Sequence, residues 1–381
     1  MTIYLDNNAT TPPAPEVLET LLSCCRDCYG NPSSGHLLGI RAEGALVAAR
    51  EQVATLLNAS PAEIVFNSGG TEGLNHAFRG VFEAFPKKRH FITSAVEHSA
   101  TLALARWLRR QGAEVTVLRV DGEGRLDLAE LEREVRPDTA MVSLMAANNE
   151  SGVLFPVAEA AELVKARGAL FHVDATQAVG RLPLDVALLR ADLLNISAHK
   201  FHGPKGAGAL FIRRGLRISP FMLGGHQERD RRGGTENLPA LAGMGRAAEL
   251  AGAALGEMAR VGALRDRMEA TILGGIPETC VFGAGSPRLP NTSLVGFGGL
   301  DGEALLLRLS ELGICCSTGS ACTTGQKEPS HVLQAMAAGP MARGALRISL
   351  SRFTTDGEID AFLQQLPELV DQIRSAGGGL R

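Results

Sequence analysis

Short runs of β-branched and aromatic residues alternate along this chain with longer segments whose apolar residues recur at helical spacing. The runs that predict β-strands are 63–67, 90–94, 114–118, 140–144, 170–174, 193–197 and 208–212. Between them, the segments 98–111, 127–136 and 156–167 have the apolar intervals of helices. This alternation predicts an α/β fold in which a mostly parallel, doubly wound sheet is covered by helices on both faces. The functional groups of such sheets collect at the carboxyl ends of the strands.

The pattern changes after about residue 240, where strands become sparse. The elements predicted there are a long helical segment at 239–273, strands at 292–296 and 346–350, and helices at 301–312 and 356–375. These elements are typical of a smaller α+β domain. We therefore expect a large domain over residues 15–255 and a small domain that combines residues 1–14 with residues 256–381.

Composition and charge narrow the class of protein. The chain has 381 residues, of which 45% are hydrophobic and 21% are charged, as in ordinary globular proteins. Its formal net charge of −3, without a basic block, favours neither nucleic acid nor a membrane surface as a partner. Residues 1–10 lack the charged and apolar regions of a signal peptide, and no apolar run is long enough to span a bilayer. We therefore expect a soluble cytoplasmic protein.

The cysteines are expected to be free thiols. The chain has 7 of them, an odd number, and no export signal is evident, which argues against a disulfide framework. Cys25 and Cys28 have a C-x-x-C spacing, but no second pair stands at zinc-finger distance. A helix that carries two thiols is therefore favoured over a zinc site. Cys315 and Cys316 follow an apolar segment and are typical of core or strand thiols.

A glycine-rich turn, Ser68-Gly-Gly-Thr-Glu72, joins a predicted strand to a helical pattern. Such a turn exposes backbone N–H groups at a helix N-terminus, where a phosphate binds well, and Thr71 could add a hydroxyl. The turn is neither a G-x-G-x-x-G nor a Walker A motif, and a plain helix cap explains it as well.

Asp174 and Lys200 each stand where a predicted strand leaves the sheet. Asp174 ends its strand and is explained equally by helix capping. Lys200 follows its strand and lies between His199 and His202. A desolvated lysine at this place would have a lowered pKa and could act as an amine nucleophile. An exposed loop lysine is the simpler interpretation when Lys200 is considered alone.

Considered together, these features match the needs of pyridoxal phosphate. That cofactor requires a phosphate cradle, an acid at its pyridine nitrogen and a lysine for covalent attachment. The pair Gly70-Thr71, Asp174 and Lys200 meet those needs in that order, each at the carboxyl end of a strand. His98 would join them as a flat ring that stacks on the cofactor, although alone it would be interpreted as an N-terminal helix residue.

Cys322 is the candidate nucleophile of a second unusual stretch, residues 315–325. Its neighbours are small, polar or glycine, which is typical of a loop, whereas a buried structural cysteine has apolar neighbours. A thiol on such a loop could be brought to the cofactor as a nucleophile.

Motifs spread along the chain occur together in one known family. They lie at residues 4–11, 30–34, 96–98, 148–150, 173–177, 197–200, 203–206, 232–237, 317–322, 328–331 and 346–350. In these residues the chain closely resembles the cysteine desulfurases, which are pyridoxal-phosphate enzymes of the class V aminotransferase family. It is most similar to their nitrogen-fixation and iron–sulfur-assembly type. The resemblance covers nearly the whole chain and implies the type I fold of pyridoxal-phosphate transferases.

The resemblance implies chemical roles for five residues. Lys200 would carry the cofactor covalently, and Asp174 would keep its pyridine nitrogen protonated. Gln177 would contact the phenolic oxygen, while His98 would stack on the ring and move protons. Cys322 would take sulfur from L-cysteine as a persulfide, leave alanine as the product, and deliver the sulfur to a scaffold for iron–sulfur assembly. No metal is expected in the isolated enzyme, although Cys322 could contact an iron–sulfur cluster shared with that scaffold.

The resemblance also implies binding residues. The cofactor phosphate would be held by Gly70, Thr71, Ser197 and His199. Thr235 would reach the phosphate of the partner subunit, which implies a homodimer. Asn149 would contact both cofactor and substrate, and Arg347 would bind the substrate carboxylate through two charge-assisted hydrogen bonds.

The chain departs from the family pattern at three positions. Thr318, Ala198 and Gly70 stand where relatives often have serine, glycine and alanine, and none of these departures removes a role.

Other functions would require different residues of the chain. A selenocysteine lyase or another class V aminotransferase is the alternative enzyme, but an ordinary aminotransferase needs no loop thiol, so Cys322 argues against it. A non-catalytic scaffold with this fold is disfavoured by the intact set of site residues.

Overall fold

The strands of the protein are short and mostly buried. In the computed structural model, which describes residues 2–318 and 329–377, they are β1 (Ile3–Tyr4), β2 (Ile64–Asn67), β3 (His90–Ser94), β4 (Glu114–Leu118), β5 (Thr139–Met145), β6 (Leu170–Asp174), β7 (Leu193–Ser197), β8 (Gly208–Ile212), β9 (Thr279–Val281), β10 (Thr292–Phe297), β11 (Ile314–Cys315) and β12 (Ala345–Ser349). β2, β3, β5, β7 and β8 are buried along their full lengths. Strands covered on both faces have continuous apolar runs rather than alternating ones.

A seven-stranded sheet forms the centre, in the order β2-β8-β7-β6-β5-β3-β4. The strands from β7 to β4 in this order are parallel to one another. β8 runs antiparallel to both of its neighbours, β2 and β7, so β2 points in the same direction as β7. The predicted mostly parallel sheet is therefore confirmed. The carboxyl ends of β2, β3, β5, β6 and β7 share one edge of it.

The helices are α1 (Pro15–Asp27), α2 (Leu37–Leu56), α3 (Gly70–Ala84), α4 (Ser99–Arg110), α5 (Leu128–Glu134), α6 (Val157–Ala166), α7 (Gln227–Asp230), α8 (Leu238–Ala253), α9 (Met258–Gly275), α10 (Gly302–Glu311), α11 (His331–Ala335) and α12 (Asp356–Gly377). They cover both faces of the central sheet. Successive strand residues point to opposite faces, and accordingly Ile92 and Val142 belong to one apolar cluster, which includes residues of α2, α6 and α8. Phe91 and Met141 belong to another, which includes residues of α3 and α4.

A third apolar cluster lies apart from these two and unites both ends of the chain. It contains Ile3 and Leu5 together with buried residues of β10, β12, α9, α10 and α12. β10 pairs antiparallel with β12 and β9, and β1 pairs parallel with β11. The division of the chain into two domains stays a prediction.

The predicted helix at 239–273 is wrong in one respect. Two helices, α8 and α9, occupy this stretch, and a short 3₁₀ turn at Leu255–Glu257 separates them. Gly252 lies in the last turn of α8 and Gly256 lies in the 3₁₀ turn, and each glycine lowers helix propensity by about 1 kcal/mol. The strands β1, β9 and β11 were not predicted, since runs of two or three residues show no periodicity.

The cysteines in the described ranges are free thiols, as expected. Cys25 lies on α1, whereas Cys28 stands just beyond its last residue, Asp27. Cys315 belongs to β11 and Cys316 is buried. Within residues 2–318 and 329–377, no group of three or more side chains is arranged to hold a metal ion. No helix in the same ranges is long and apolar enough to cross a membrane.

We predict that Phe362→Ala strongly destabilises the protein. Phe362 is fully buried in the third cluster, and truncation of a buried phenylalanine lowers the free energy of unfolding by about 3–5 kcal/mol. Leu307→Ala on α10 is the control, because that side chain is 64% exposed and its loss is expected to change stability by less than about 0.5 kcal/mol. Urea denaturation of the full chain measures both. Equal midpoints for the two variants would contradict the packing of this cluster.

Candidate active site

The segments that follow β2, β3, β5, β6 and β7 enclose a cavity of about 250 Å³ at the shared carboxyl edge. The cavity is lined by Asn8, Ala9, Gly70, Thr71, Leu74, His98, Met145, Ala147, Asn149, Asp174, Thr176, Gln177, Ser197, His199, Lys200 and Arg347. All predicted site residues in the described ranges line this cavity except Thr235. Thr235 lines a different cavity, of about 190 Å³, together with Ser68 and Gly206. Cys322 lies outside the described residues.

Lys200 reaches the cavity from a 3₁₀ turn that directly follows β7. Its Nζ donates hydrogen bonds to the main-chain oxygens of Asn8 at 2.5 Å and Ala9 at 3.0 Å. Desolvation, assisted by the positive charges of Arg181 and Arg347, lowers the pKa of Lys200 to about 7. A large fraction of the amine is therefore uncharged at neutral pH, as a nucleophile requires.

Asp174 ends β6 with its carboxylate held in place. The Oδ1 atom accepts hydrogen bonds from the backbone N–H of Thr176 at 3.0 Å and from Nδ2 of Asn195 at 3.2 Å. Asn195 lies opposite Asp174 in the neighbouring strand β7. His172, two residues earlier, lies on the same face of β6, with its Nδ1 2.8 Å from Oγ of Ser143. Burial lowers the pKa of His172 to about 4, so this ring is neutral.

The glycine-rich turn leads into α3 at the same edge. Gly69 has φ +143°, in the region that glycine adopts without strain, and α3 begins at Gly70. No side chain in the described ranges caps the start of this helix. The first N–H groups of α3 are therefore available to an anion, and the hydroxyls of Thr71 and Ser197 line the same cavity.

Arg347 forms the opposite wall from the middle of β12. Its side chain is 2% exposed and is paired with Asp6, whose Oδ1 lies 2.7 Å from Nη2. Nη1 donates to the main-chain oxygen of Asn149 at 3.1 Å. Nε of Arg347 and Oδ1 of Asn149 are buried and have no hydrogen-bond partner among the described residues. A buried polar atom without a partner costs about 1–3 kcal/mol, so these two atoms favour a polar ligand.

Two histidines of the cavity are held neutral. Nδ1 of His98 accepts the backbone N–H of Ala100 at 3.2 Å, so its proton resides on Nε2. Burial lowers the pKa of His98. His199 lies with Nδ1 3.2 Å from Oγ1 of Thr10, and burial lowers its pKa to about 4. In the neutral form these rings can stack on a ligand without adding charge to the site.

Glu97 is a fully buried acid that the sequence analysis did not identify. Its Oε1 accepts hydrogen bonds from Oγ of Ser94 and the backbone N–H of Met145, both at 2.9 Å. These bonds connect the ends of β3 and β5 immediately beside His98. Desolvation raises the pKa of Glu97 to about 8, so the group is protonated at neutral pH.

Glu150, which directly follows Asn149, is a second fully buried acid. Burial raises its pKa, and its Oε2 accepts a hydrogen bond from Oγ of Ser330 at 2.5 Å. Ser330 in turn caps α11, because its Oγ accepts the backbone N–H of Leu333. Glu97 and Glu150 lie within the family motifs at residues 96–98 and 148–150. Their burial depends on contacts with distant segments, so it could not be predicted from residue spacing.

Comparison with known proteins identifies the family. A model of the class V aminotransferases matches residues 3–362. The chain is 51% identical over 378 residues to the cysteine desulfurase of Trichormus azollae, which covers 98% of this chain and 94% of that protein. The chain belongs to the cysteine desulfurases of the class V aminotransferase family.

Solved structures agree with this assignment. A NifS-like protein superposes with a TM-score of 0.91 at 40% identity and covers 98% of this chain and 100% of its own. A structure of SspA in complex with cysteine superposes with a TM-score of 0.81 at 32% identity and covers 93% of this chain and 100% of its own. The type I fold and the family predicted from the sequence are therefore confirmed.

The cavity suits pyridoxal phosphate, on which enzymes of this family depend. It offers a desolvated amine, a fixed carboxylate and the free N–H groups of a helix start, all at one sheet edge. The unpaired atoms of Asn149 and Arg347 add hydrogen-bonding capacity on the opposite wall. The cavity is also lined by two polar residues that the sequence analysis did not identify, Asn8 and Thr176. They lie within the family motifs at residues 4–11 and 173–177.

We predict that Glu97→Gln makes stability less sensitive to alkaline pH. Between about pH 4.5 and 8 the folded protein retains a proton on Glu97 that the unfolded chain has released, so stability falls as pH rises through this window. Glutamine keeps the oxygen that accepts from Ser94 and Met145 but cannot ionise. From pH 5.5 to 8.5 we expect the wild type to lose about 1–3 kcal/mol more than the variant in urea denaturation. Equal losses would show that Glu97 ionises normally.

Proposed function

We propose that the protein is a pyridoxal-phosphate-dependent cysteine desulfurase that converts L-cysteine to alanine and keeps the sulfur as a persulfide on Cys322. The observation that carries the proposal is the position of Lys200. Its amine has a lowered pKa and shares one cavity with Asp174, the α3 N-terminus and Arg347. The high identity to curated cysteine desulfurases supports the choice of substrate.

The cofactor would be held at four places. Lys200 would bind it covalently, Asp174 would face its pyridine nitrogen, and Gln177 would contact its phenolic oxygen. The phosphate would lie at the start of α3, with Gly70, Thr71, Ser197 and His199 around it. When bound, pyridoxal phosphate withdraws electrons from an attached amino acid and makes its Cα–H bond acidic.

Arg347 would bind the carboxylate of L-cysteine. Asp6 occupies Nη2 and the Asn149 carbonyl occupies Nη1, which leaves the Nε edge of the guanidinium toward a ligand. A carboxylate at Nε would form charge-assisted hydrogen bonds, and Oδ1 of Asn149 would accept from a neighbouring donor. This arrangement would orient Cα of the substrate toward Lys200.

The protein groups would move protons and sulfur in a fixed order. The amine of Lys200, once free, would take the proton from Cα, and His98 would take part in proton transfer through Nε2. The Cys322 thiolate would attack the substrate sulfur, so that an S–S bond forms as the Cβ–S bond breaks. The electron pair of the broken Cβ–S bond would stay with the carbon, and a proton would then be added at Cβ. A proton would also be returned to Cα, which gives alanine and leaves the persulfide on Cys322.

The proposal also covers the assembly, the sulfur acceptor and the domains of the protein. Thr235 would contact the cofactor phosphate of the partner subunit in a homodimer. The cavity that Thr235 lines shares Ser68 and Gly206 with a further cavity, which Thr71 also lines. Cys322 would pass its sulfur to an iron–sulfur scaffold or another acceptor protein. The two domains would comprise residues 15–255 and residues 1–14 with 256–381. The cytoplasmic location stays a prediction.

We predict that Lys200→Ala abolishes the visible absorbance of bound pyridoxal phosphate, because the variant lacks the amine that would hold the cofactor covalently. The control is Lys88→Ala, since that lysine lies on the surface and donates to the Gly168 carbonyl. Absorbance spectra of the purified proteins with added pyridoxal phosphate make the comparison. A yellow Lys200→Ala protein would mean that another amine binds the cofactor.

We predict that Cys322→Ser retains the cofactor spectrum but produces sulfide from L-cysteine at least about 100-fold more slowly, since it lacks the sulfur-accepting thiolate. Cys25→Ser, at an exposed thiol on α1, is the control. Alanine and sulfide are measured together in the presence of a thiol reductant. Full sulfide output from Cys322→Ser would move the nucleophile to another thiol. A yellow wild type that forms no alanine would point to a different amino acid substrate.

A further inference from the structure

Arg181 is a buried cation behind the cavity with an unusual set of partners. Its side chain is 7% exposed. Nη1 donates to the main-chain oxygen of Gln177 at 2.6 Å and to Oε1 of the same residue at 2.7 Å, and Nη2 donates to the main-chain oxygen of Asn7 at 3.2 Å. Within residues 2–318 and 329–377, Arg181 forms no ion pair. A buried arginine usually has an acidic partner, so this residue requires a reason.

The contact with Gln177 fixes the orientation of a cavity amide. A guanidinium only donates hydrogen bonds, so the atom of Gln177 that lies 2.7 Å from Arg181 must be its oxygen. The amide nitrogen consequently points the other way and donates one hydrogen to the Asn8 carbonyl at 2.9 Å. Its second hydrogen remains for a ligand in the cavity. Without Arg181, only the Asn8 carbonyl would hold the amide in this orientation, and the amide would be less firmly fixed.

The charge of Arg181 also acts on Lys200. The charged and titratable groups that face this amine are Arg181, Arg347, Asp174, Asp6, His98 and His199. The two histidines are neutral, and the charge of Arg347 is balanced by Asp6 at 2.7 Å. Burial lowers the pKa of Arg181 to about 9, so it remains charged at neutral pH. Arg181 is thus the cation near Lys200 that lacks an acidic partner among the described residues.

Arg181 and Lys200 are also neighbours in space. Both line a small cavity of about 20 Å³ together with Asn7 and Phe201. Arg181 donates to the main-chain oxygen of Asn7, Gln177 to that of Asn8, and Lys200 to those of Asn8 and Ala9. All three side chains are therefore held by the same turn of the chain.

We propose that Arg181 is a positioning residue for cofactor capture: it orients the amide of Gln177 and places an uncompensated positive charge behind the amine of Lys200. The first effect presents a donor to the cofactor. The second disfavours protonation of the amine and so keeps it nucleophilic near neutral pH. This inference rests on the proposed function, since both effects act on pyridoxal phosphate.

The test uses the full-length chain freed of cofactor, with pyridoxal phosphate added. Two quantities are measured for each protein: the dissociation constant of the cofactor, and the rate of appearance of bound absorbance from pH 6 to 9. The variants are Arg181→Met, which removes the charge and the donors, and Arg181→Lys, which keeps the charge but not the forked donor. Arg374→Met is the control, because its guanidinium also donates to main-chain oxygens, those of Gly298 and Pro277, far along the chain on α12.

We expect Arg181→Met to move the midpoint of the capture-rate profile up by about one pH unit and to weaken cofactor binding by roughly tenfold. Arg181→Lys should keep the wild-type midpoint yet share the weaker binding, a split that a merely structural role would not produce. Arg374→Met should match the wild type in both quantities.

Two outcomes would overturn the inference. An Arg181→Met protein with the wild-type midpoint would remove the charge effect, and an Arg181→Lys protein with wild-type affinity would remove the effect on Gln177. Should Arg181→Met fail to fold, Arg181→Lys still decides through the affinity. A wild-type chain that does not capture pyridoxal phosphate would instead defeat the proposed function, so the two failures are distinguishable.

Discussion

The site depends on the hydrogen bonds that the side chains of Arg181, Gln177 and Lys200 donate to the main-chain oxygens of residues 7–9. The Asn8 oxygen accepts from both Lys200 and Gln177. The same segment is fixed at its other side, where the backbone N–H of Asn7 donates to Ser349 in β12 and Asp6 pairs with Arg347. A short stretch near the N-terminus therefore connects the carboxyl edge of the central sheet to the strand that supplies the arginine. Displacement of this stretch would disturb both walls of the cavity together.

Exclusion of water from the groups around the cavity explains how a few charges can control its chemistry. His98, His172 and His199 are kept neutral by burial, and Glu97 is kept protonated for the same reason. Coulomb interactions are stronger where water is excluded, so the remaining charges act on Lys200 over short distances with little screening. Within residues 2–318 and 329–377, the amine is held by carbonyl oxygens rather than by a carboxylate. Such partners orient an amine without forcing it to remain charged.

The sequence predicted those parts of the site that lie in one strand or just after it. Gly70, Asp174 and Lys200 each stand near the carboxyl end of a strand, and parallel strands bring such ends to a single edge, so local pattern was sufficient to place them together. The central strands were found for the same reason, since their β-branched runs are continuous.

The remaining features depend on contacts between distant segments. Asp6 and Arg347 are 341 residues apart. Residue spacing shows neither the burial of Glu97 nor the lack of an acidic partner for Arg181 within the described part of the chain. The sequence analysis did not predict the break between α8 and α9, because the apolar periodicity continues past Gly252 and Gly256. Thr235 lies in a separate cavity of the single chain, and its proposed contact with the cofactor would require a second subunit.

The most direct test of the central claim is to reduce the protein with borohydride in the presence of pyridoxal phosphate and to map the modified peptide by mass spectrometry. Reduction makes the link between a lysine and the cofactor permanent, so the attachment site can be identified. We expect the pyridoxyl group on Lys200. Its presence on another lysine, such as Lys205, or its absence from every peptide, would contradict the assignment of Lys200 as the cofactor's anchor.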